Sequence, residues 1–402
     1  MSDYLKTPGF CVAPFVHSCI WTDGRAIPCC INQDVIFGDA KTENLEKIYS
    51  NDNETLRSFR QDLLNGKTPS SCYRCTNPER DLGAESYRMF LNQRYGHVLD
   101  NMTIHPDGKV DHQKFAYYDV RFSNLCTLKC RMCDHINSSA IAAEENTHEG
   151  KKNKVLTEPF ENFEEFSKFF VKNIDSVENM YFCGGEPLIL EYHYKLLQLL
   201  IDHGKTDVLL KYNSNCTSIR FRHHEITEYW KKFSNVCVGM SLDDTGPRGE
   251  FIRDGSKWDV IKNNLQQIRK ECPHVWLEWT PTVQIMNVMT VPELHMELIR
   301  ESLVDAWYYI ILTDPDYFSI QVLPAALKGK VSEIWEQHAI FLQRLHIPMA
   351  KLKSATEVIN FMNLEDRTKL LPKFRDEIRK KDRIRNQSFV KVFPDLKQLM
   401  EN

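Results

Sequence analysis

The stretch Arg121-Phe-Ser-Asn-Leu-Cys126-Thr-Leu-Lys-Cys130-Arg-Met-Cys133-Asp-His135 sets three cysteines on one loop in the spacing C-x3-C-x2-C, directly after an apolar run that reads as a strand. Three thiolates on a short loop can hold three corners of a cubane iron–sulfur cluster and leave the fourth iron without a protein ligand. An open iron is a place for chemistry. Zinc is the alternative, but structural zinc takes four protein ligands, usually as two cysteine pairs. Here only Asp134 or His135 could serve as a nearby fourth, both cramped against Cys133.

From this loop the strand pattern runs on toward the C-terminus. Strands read near 116–122, 177–183, 207–213, 235–242, 274–283 and 306–312, with helical stretches near 160–173, 191–203, 221–232, 256–271 and 291–302. Strands alternating with helices signal parallel β/α units, and six of them make three quarters of a full eight-unit barrel. In parallel barrels the reactive loops lie at the C-terminal ends of strands. The motifs fall there. Gly184-Gly185-Glu186-Pro187 follows the second strand, Asn213-Ser214-Asn215-Cys216-Thr217 the third, and Ser241-Leu-Asp243-Asp244, with Arg253 beyond it, the fourth. Two glycines let backbone pass close to a ligand, while Glu186 and freed carbonyls can accept from an ammonium group. Arg253 offers a fork that matches a carboxylate, or else a surface ion pair with Asp254 or Glu250.

Upstream of the loop, Asp23-Gly24 between two apolar runs predicts a tight hairpin that can fold Cys29 back toward Cys11. A helical stretch over Thr42 to Gly66 then delivers Cys72-Tyr-Arg-Cys75, so four cysteines converge; on spacing alone the last pair could also be half of a zinc site. Residues 80–116 read as connection, with a helix over Ala84 to Tyr95 and a second hairpin near Pro106-Asp107-Gly108. His97, His105 and His112 lack ligand spacing and read as solvent-facing. Beyond 325 the chain reads as helical and charged, the basic run 375–385 as a solvated helix face, and Phe389 to Met400 as a terminal helix packing back onto the barrel.

Composition narrows the function classes. A net charge of −4 gives no reason to expect nucleic acid or an anionic membrane as partner. The N-terminus MSDYLKTPGF lacks a charged and then apolar leader, and no apolar run approaches the eighteen or so residues of a membrane span, so a cytoplasmic location is expected. In that compartment 13 cysteines argue for metal or redox chemistry over disulfides.

The cysteine loop, with Gly184-Gly185-Glu186, Asn213 and the Ser241/Asp243/Arg253 set, resembles the radical S-adenosylmethionine (SAM) superfamily. That resemblance implies a partial (β/α)6 barrel in an α/β chain. It also implies a SAM-binding 4Fe–4S cluster on Cys126, Cys130 and Cys133, and SAM held by Gly184, Gly185, Glu186, Pro187, Asn213, Ser241, Asp243 and Arg253. Ser214 and Cys216 depart from the family's Thr-Asn-Gly-Thr loop. Residues 8–80 resemble the twitch domain, a shortened SPASM extension, through Cys11, Gly24, Cys29, Cys72 and Cys75. The resemblance implies an auxiliary 4Fe–4S cluster on Cys11, Cys29, Cys72 and Cys75, although Cys30 adjoins Cys29 and could compete, and the block precedes the barrel where the family usually places it after.

The expected organisation is a twitch-type domain at 1–80, a connector at 81–115, a radical SAM barrel at 116–325 and helices at 326–402. The expected activity is reductive cleavage of SAM to a 5′-deoxyadenosyl radical that abstracts hydrogen from a peptide or small-molecule substrate. A low-potential donor such as flavodoxin or ferredoxin would supply electrons. A non-catalytic iron–sulfur or zinc protein, a sensor or electron carrier, is the rival class, and it would have no need of the Gly-Gly-Glu loop or the Ser241/Arg253 pair. Cys183 reads as a small buried strand residue.

Overall fold

A computed structural model describes residues 3–83, 85–345 and 349–401. The chain forms two compact units that interleave along the sequence: Met1–Leu125, Leu156–Tyr212 and Arg222–Val236 make one, and Cys126–Val155, Asn213–Phe221 and Cys237–Asn402 the other.

In the first unit the hairpin expected at Asp23-Gly24 forms, joining the strands His17–Ile20 and Arg25–Ile27. The strand His17–Ile20 also pairs in parallel with Tyr117–Val120, that strand with Asn179–Phe182, and that in turn with Leu209–Ser214. Side chains alternate across these strands. Ile20, Tyr118, Val120, Met180 and Phe182 are buried on one face. Against it lie helices such as Phe163–Asn173, which is capped by Asn162 and buries Phe166, Phe169 and Phe170; Phe170 meets Tyr118 edge-on at 5.1 Å. The single helix expected over 42–66 is broken into Leu45–Ile48 and Glu54–Leu64, because Asn53 turns extended and its side chain accepts from Leu56 N–H as a new N-cap. The helix expected from Ala84 runs over Tyr87–Tyr95; Ala84 itself lies outside the described residues.

In the second unit Asn235–Met240, Trp276–Trp279 and Ala306–Trp307 pair in parallel. Helices between them bury apolar stripes, as Trp258–Glu271 does with Ile261, Leu265 and Ile268. The six strands read from the sequence all form, each within a few residues of its expected place, in the mixed α/β pattern of a partial (β/α)6 barrel. Beyond them come the helices Ala325–Arg344, Met349–Leu364 and Leu371–Arg385, then Phe389–Val392 with the 3₁₀ turn Pro394–Met400 in place of one terminal helix. No helix among the described residues is long and apolar enough to cross a membrane.

Two candidate cysteine-lined centres

Four cysteines of the first unit, Cys11, Cys29, Cys72 and Cys75, line a single cavity with Asn32 and Arg88. Three local devices deliver them. The segment around Cys11 is pinned from the Tyr87–Tyr95 helix: Arg88 Nη1 donates to the Phe10 carbonyl at 2.7 Å, and the Asn92 side chain donates to the same carbonyl and accepts from Val12 N–H, both at 2.8 Å. Cys29 opens a turn closed by Asn32 N–H on its carbonyl at 3.0 Å. That turn aims Asn32 Nδ2 at Cys72 Sγ, 3.5 Å away. Cys72 and Cys75 occupy the N-cap and first turn of the helix Tyr73–Leu82, where x2 spacing puts both thiols at the positive end of the helix dipole.

Cys30 lies outside this lining. Burial pushes its thiol up to about 11, with the Asp119 charge adding to that rise and Arg121 and Tyr87 opposing it. Of the two adjacent cysteines, Cys29 lines the cavity and Cys30 does not, although the Cys30 charge still bears on Cys29. Burial, with the charges of Cys72 and Cys75, pushes the Cys11 thiol up to about 12, and burial raises Cys29, Cys72 and Cys75 as well. Four thiolates in one cavity need a cationic group among them. The donor set thus fits a metal–sulfur cluster with all its ligands supplied.

The second centre is built within the second unit. Cys126 is tied to the head of the helix Ser139–His148, whose Ser139 hydroxyl accepts from Cys126 N–H at 3.2 Å. Cys130 lies in a two-residue strand, Lys129–Cys130, that pairs antiparallel with Arg253–Asp254 and sets Cys130 opposite Arg253. Cys130 is buried and Cys133 exposed. Two nitrogen donors already point at sulfurs of this loop: Arg253 Nη1 lies 3.7 Å from Cys130 Sγ and Asn215 Nδ2 4.0 Å from Cys126 Sγ. Three thiols, two of them with hydrogen-bond donors on their sulfurs, fit a cluster with one iron free of protein ligands.

The residues expected to hold SAM are placed less simply. Arg253 makes neither of the surface pairs weighed for it. Its Nε meets the buried Asp243 carboxylate at 2.8 Å, and Asp243 also accepts from Thr282 N–H at 2.7 Å. Although burial alone would lower it, the Asp243 charge holds the guanidinium firmly protonated. Asp243 is thus the buried counter-ion of Arg253. Ser241 is tied by its N–H to the Ser214 carbonyl at 2.9 Å, joining two strand ends. Cys216, which stands where the family has glycine, adopts φ 57°, the left-handed region that glycine enters freely.

The Gly184-Gly185-Glu186-Pro187 loop, described within the first unit, packs on backbone. Gly184 has φ 107°, and a Cβ on Gly185 would stand 2.1 Å from the Leu125 carbonyl oxygen. Gly185 N–H donates to Ser123 and Glu186 N–H to Leu125, at 3.0 and 2.8 Å. The glycines are thus required by a protein–protein approach before any ligand is considered. Glu186 is buried, and one of its carboxylate oxygens accepts from Leu188 N–H at 3.2 Å.

One cluster was not anticipated from the sequence. On the strand face opposite the helices, Asp119 takes Arg121 bidentately at 2.9 and 3.0 Å, and accepts from the thiols of Cys19 and Cys183 at 3.4 and 3.2 Å. Arg121 lies over the Trp21 ring at 3.5 Å, and buried His17 stacks on Tyr117 at 4.2 Å. Burial would raise Asp119, but Arg121 holds it below the usual carboxylate range. Cys183 is buried as expected, in a polar setting. The available signal was the pattern of ionisable residues two apart, Asp119 and Arg121, in a strand with no solvent face.

Residues 120–294 match the radical SAM superfamily, and residues 11–76 match an iron–sulfur cluster-binding (SPASM) domain. Among the curated proteins nothing matches. Among solved structures the chain is similar to an anaerobic sulfatase-maturating enzyme, native anSMEcpe with bound AdoMet and Cp18Cys peptide, at 15% identity over 56% of this chain and 58% of that one, TM-score 0.39. A tagged anSMEcpe with AdoMet gives 17% identity over 56% and 58%, TM-score 0.40. TYW1 with a lysine–pyruvate adduct gives 14% over 53% and 69%, TM-score 0.28. The chain thus spans 58% of the length of the first two.

Proposed function

The chain is a radical SAM protein with an N-terminal SPASM-type iron–sulfur domain, and from that premise we propose that it is an enzyme using two 4Fe–4S clusters unequally. Cys126, Cys130 and Cys133 hold the SAM-binding cluster; Cys11, Cys29, Cys72 and Cys75 hold the auxiliary one. The observation that carries this reading is the contrast in ligand number: three thiols on a loop with an exposed member, four in one cavity. When bound, the first cluster supplies the electron that cleaves SAM to methionine and a 5′-deoxyadenosyl radical, the species that takes hydrogen from substrate.

The chain's own residues then have separable tasks. Arg253 directs its Nη1 at Cys130 Sγ and so favours the thiolate form. Asn215 does the same for Cys126 without a charge. The Gly184–Glu186 loop offers carbonyls and a buried carboxylate to an ammonium group. Pro187 follows the strand Asn179–Phe182, Asn213 and Ser241 stand at the ends of the strands Leu209–Ser214 and Asn235–Met240, and Asp243 keeps Arg253 oriented. With four protein ligands, the auxiliary cluster has no corner for substrate, so its role is electron transfer with a substrate that is a peptide or a small metabolite. We place the enzyme in the cytoplasm, with a flavodoxin- or ferredoxin-like donor.

The test is anaerobic reconstitution followed by dithionite and SAM. Slow formation of 5′-deoxyadenosine without substrate is expected, and none from a Cys130→Ala protein. Finding zinc and no iron at the three-cysteine loop of anaerobically prepared protein would sink the proposal.

A further inference from the structure

The loop Cys126–Cys133 has little secondary structure of its own beyond the two residues Lys129–Cys130. What holds it comes from far along the chain. Arg131, inside the C-x2-C step, has a side chain only 1% exposed. Its Nη2 donates to Asp382 Oδ1 at 2.9 Å and to Gln387 Oε1 at 2.7 Å, and its Nε to the Phe251 carbonyl at 3.1 Å. The guanidinium lies flat on the Phe251 ring at 3.6 Å.

The partners are themselves fixed. Helix Leu371–Arg385 ends at Asn386 with φ 51°, which turns the chain back. Gln387 N–H then bonds to the Asp382 carbonyl at 2.9 Å, and Asp382 Oδ2 accepts from Phe389 N–H at 2.7 Å. Gln387 Nε2 reaches Asp254 Oδ1 at 2.7 Å, beside the strand partner of Cys130. Flanking Asp382 on the same helix, Arg385 and Lys381 meet Glu144 of the Ser139–His148 helix at 2.9 Å, with the Arg385 side chain 2% exposed. The basic run 375–385 is therefore a docked face at these positions, where a solvated one was expected.

We propose that the helix Leu371–Arg385 and the turn after it form a clasp on the cysteine loop, with Arg131 as its positioning residue and Asp382 and Gln387 as the catch. The clasp presets the loop before any cluster arrives and places a compensated charge pair beside the cluster ligands. In purpose it resembles the outer contacts that orient metal ligands, whose loss typically costs tenfold or more in metal retention. The inference rests on the reading of Cys126, Cys130 and Cys133 as cluster ligands.

The experiment uses the full chain reconstituted with both clusters, comparing the parent with Asp382→Asn, Gln387→Ala and Arg131→Lys. Chelator-driven iron loss and midpoint potential are followed for each cluster by its electron paramagnetic resonance signal, the SAM-responsive one belonging to the three-cysteine loop. Asp382→Asn is expected to lose that cluster on the order of tenfold faster while the other decays at the parent rate. Its midpoint should become less negative, since an anion beside the loop is gone. Gln387→Ala should act in the same sense but less, and Arg131→Lys, which keeps the charge but not the fork, should hold iron less well than the parent. Hydrogen exchange across 126–135 in cluster-free protein should rise in Asp382→Asn. The clasp is refuted if Asp382→Asn and Gln387→Ala match the parent in exchange, iron loss and midpoint, or if both clusters loosen together. A parent that binds no iron at the loop overturns the cluster reading instead, and the exchange measurement still decides the clasp.

Discussion

The two cysteine centres solve opposite problems. The four-cysteine cavity gathers its cysteines from three separated stretches and encloses them, with Arg88 and Asn92 pinning the Cys11 segment and Asn32 linking the Cys29 turn to Cys72. The three-cysteine loop takes its ligands from eight consecutive residues, leaves Cys133 exposed, and is held from outside by charged side chains. Enclosure suits a group that only passes electrons; an accessible edge suits one that must meet a second molecule. The difference teaches that ligand count alone does not separate such sites, since the way the backbone is braced differs as much as the number of sulfurs.

The largest expected effects come from removing one centre at a time. Cys130→Ala should abolish 5′-deoxyadenosine formation and leave about four of about eight irons. Replacing Cys72 and Cys75 together should also leave about four, but with SAM cleavage retained and turnover of the true substrate lost. A double variant that still turned over substrate at the parent rate would make the enclosed centre structural and erase the comparison. Within that centre, Cys29→Ser should remove the auxiliary cluster's spectrum and Cys30→Ser should leave it, because only Cys29 lines the cavity.

Arg253 gives the next effect. Its loss leaves Asp243 buried and unpaired, so urea denaturation of Arg253→Ala should show a stability lower by about 3–5 kcal/mol. If SAM affinity, measured by calorimetry, also falls by tenfold or more, the guanidinium serves ligand and fold together; a stability loss with unchanged affinity would assign it to the fold.

The smallest effect concerns Asp244, whose carboxyl is raised to about 6 by burial against the opposing bonds from Thr290 and Thr245. Its folded form holds a proton that the unfolded chain releases near pH 4, so its contribution favours folding below about pH 4 and is lost as pH rises through about 6. Denaturation midpoints of the parent at about pH 4.5 and about pH 7.5 should differ by more than those of Asp244→Asn. Equal differences would remove Asp244 as a source of that slope.

Much of this was legible because the decisive signals are local. Strand–helix alternation places six strands, and cysteine spacing picks out both the three-cysteine loop and the four cysteines that line one cavity before any geometry is known. What escaped depends on contacts distant in sequence. The Tyr87–Tyr95 helix read as connection, yet Arg88 and Asn92 position the Cys11 segment, about eighty residues earlier. The helix Ser139–His148 was not read, since its run of alanines and acids has no apolar stripe; its start is set by the Ser138 cap. Arg131 finds its partners some 250 residues away, which no spacing rule reaches. That Cys29 and not Cys30 lines the cavity is not written in their spacing.

The approach of Gly185 to the Leu125 carbonyl has a consequence for sequence variation. A Cβ at 2.1 Å from a backbone oxygen cannot be relieved by rotating a side chain, because Cβ is fixed rigidly on Cα and the two backbone segments are already hydrogen-bonded across the same gap. Position 185 therefore admits one amino acid only, and a saturation library screened merely for soluble, folded protein should return glycine there even before any selection for catalysis is applied.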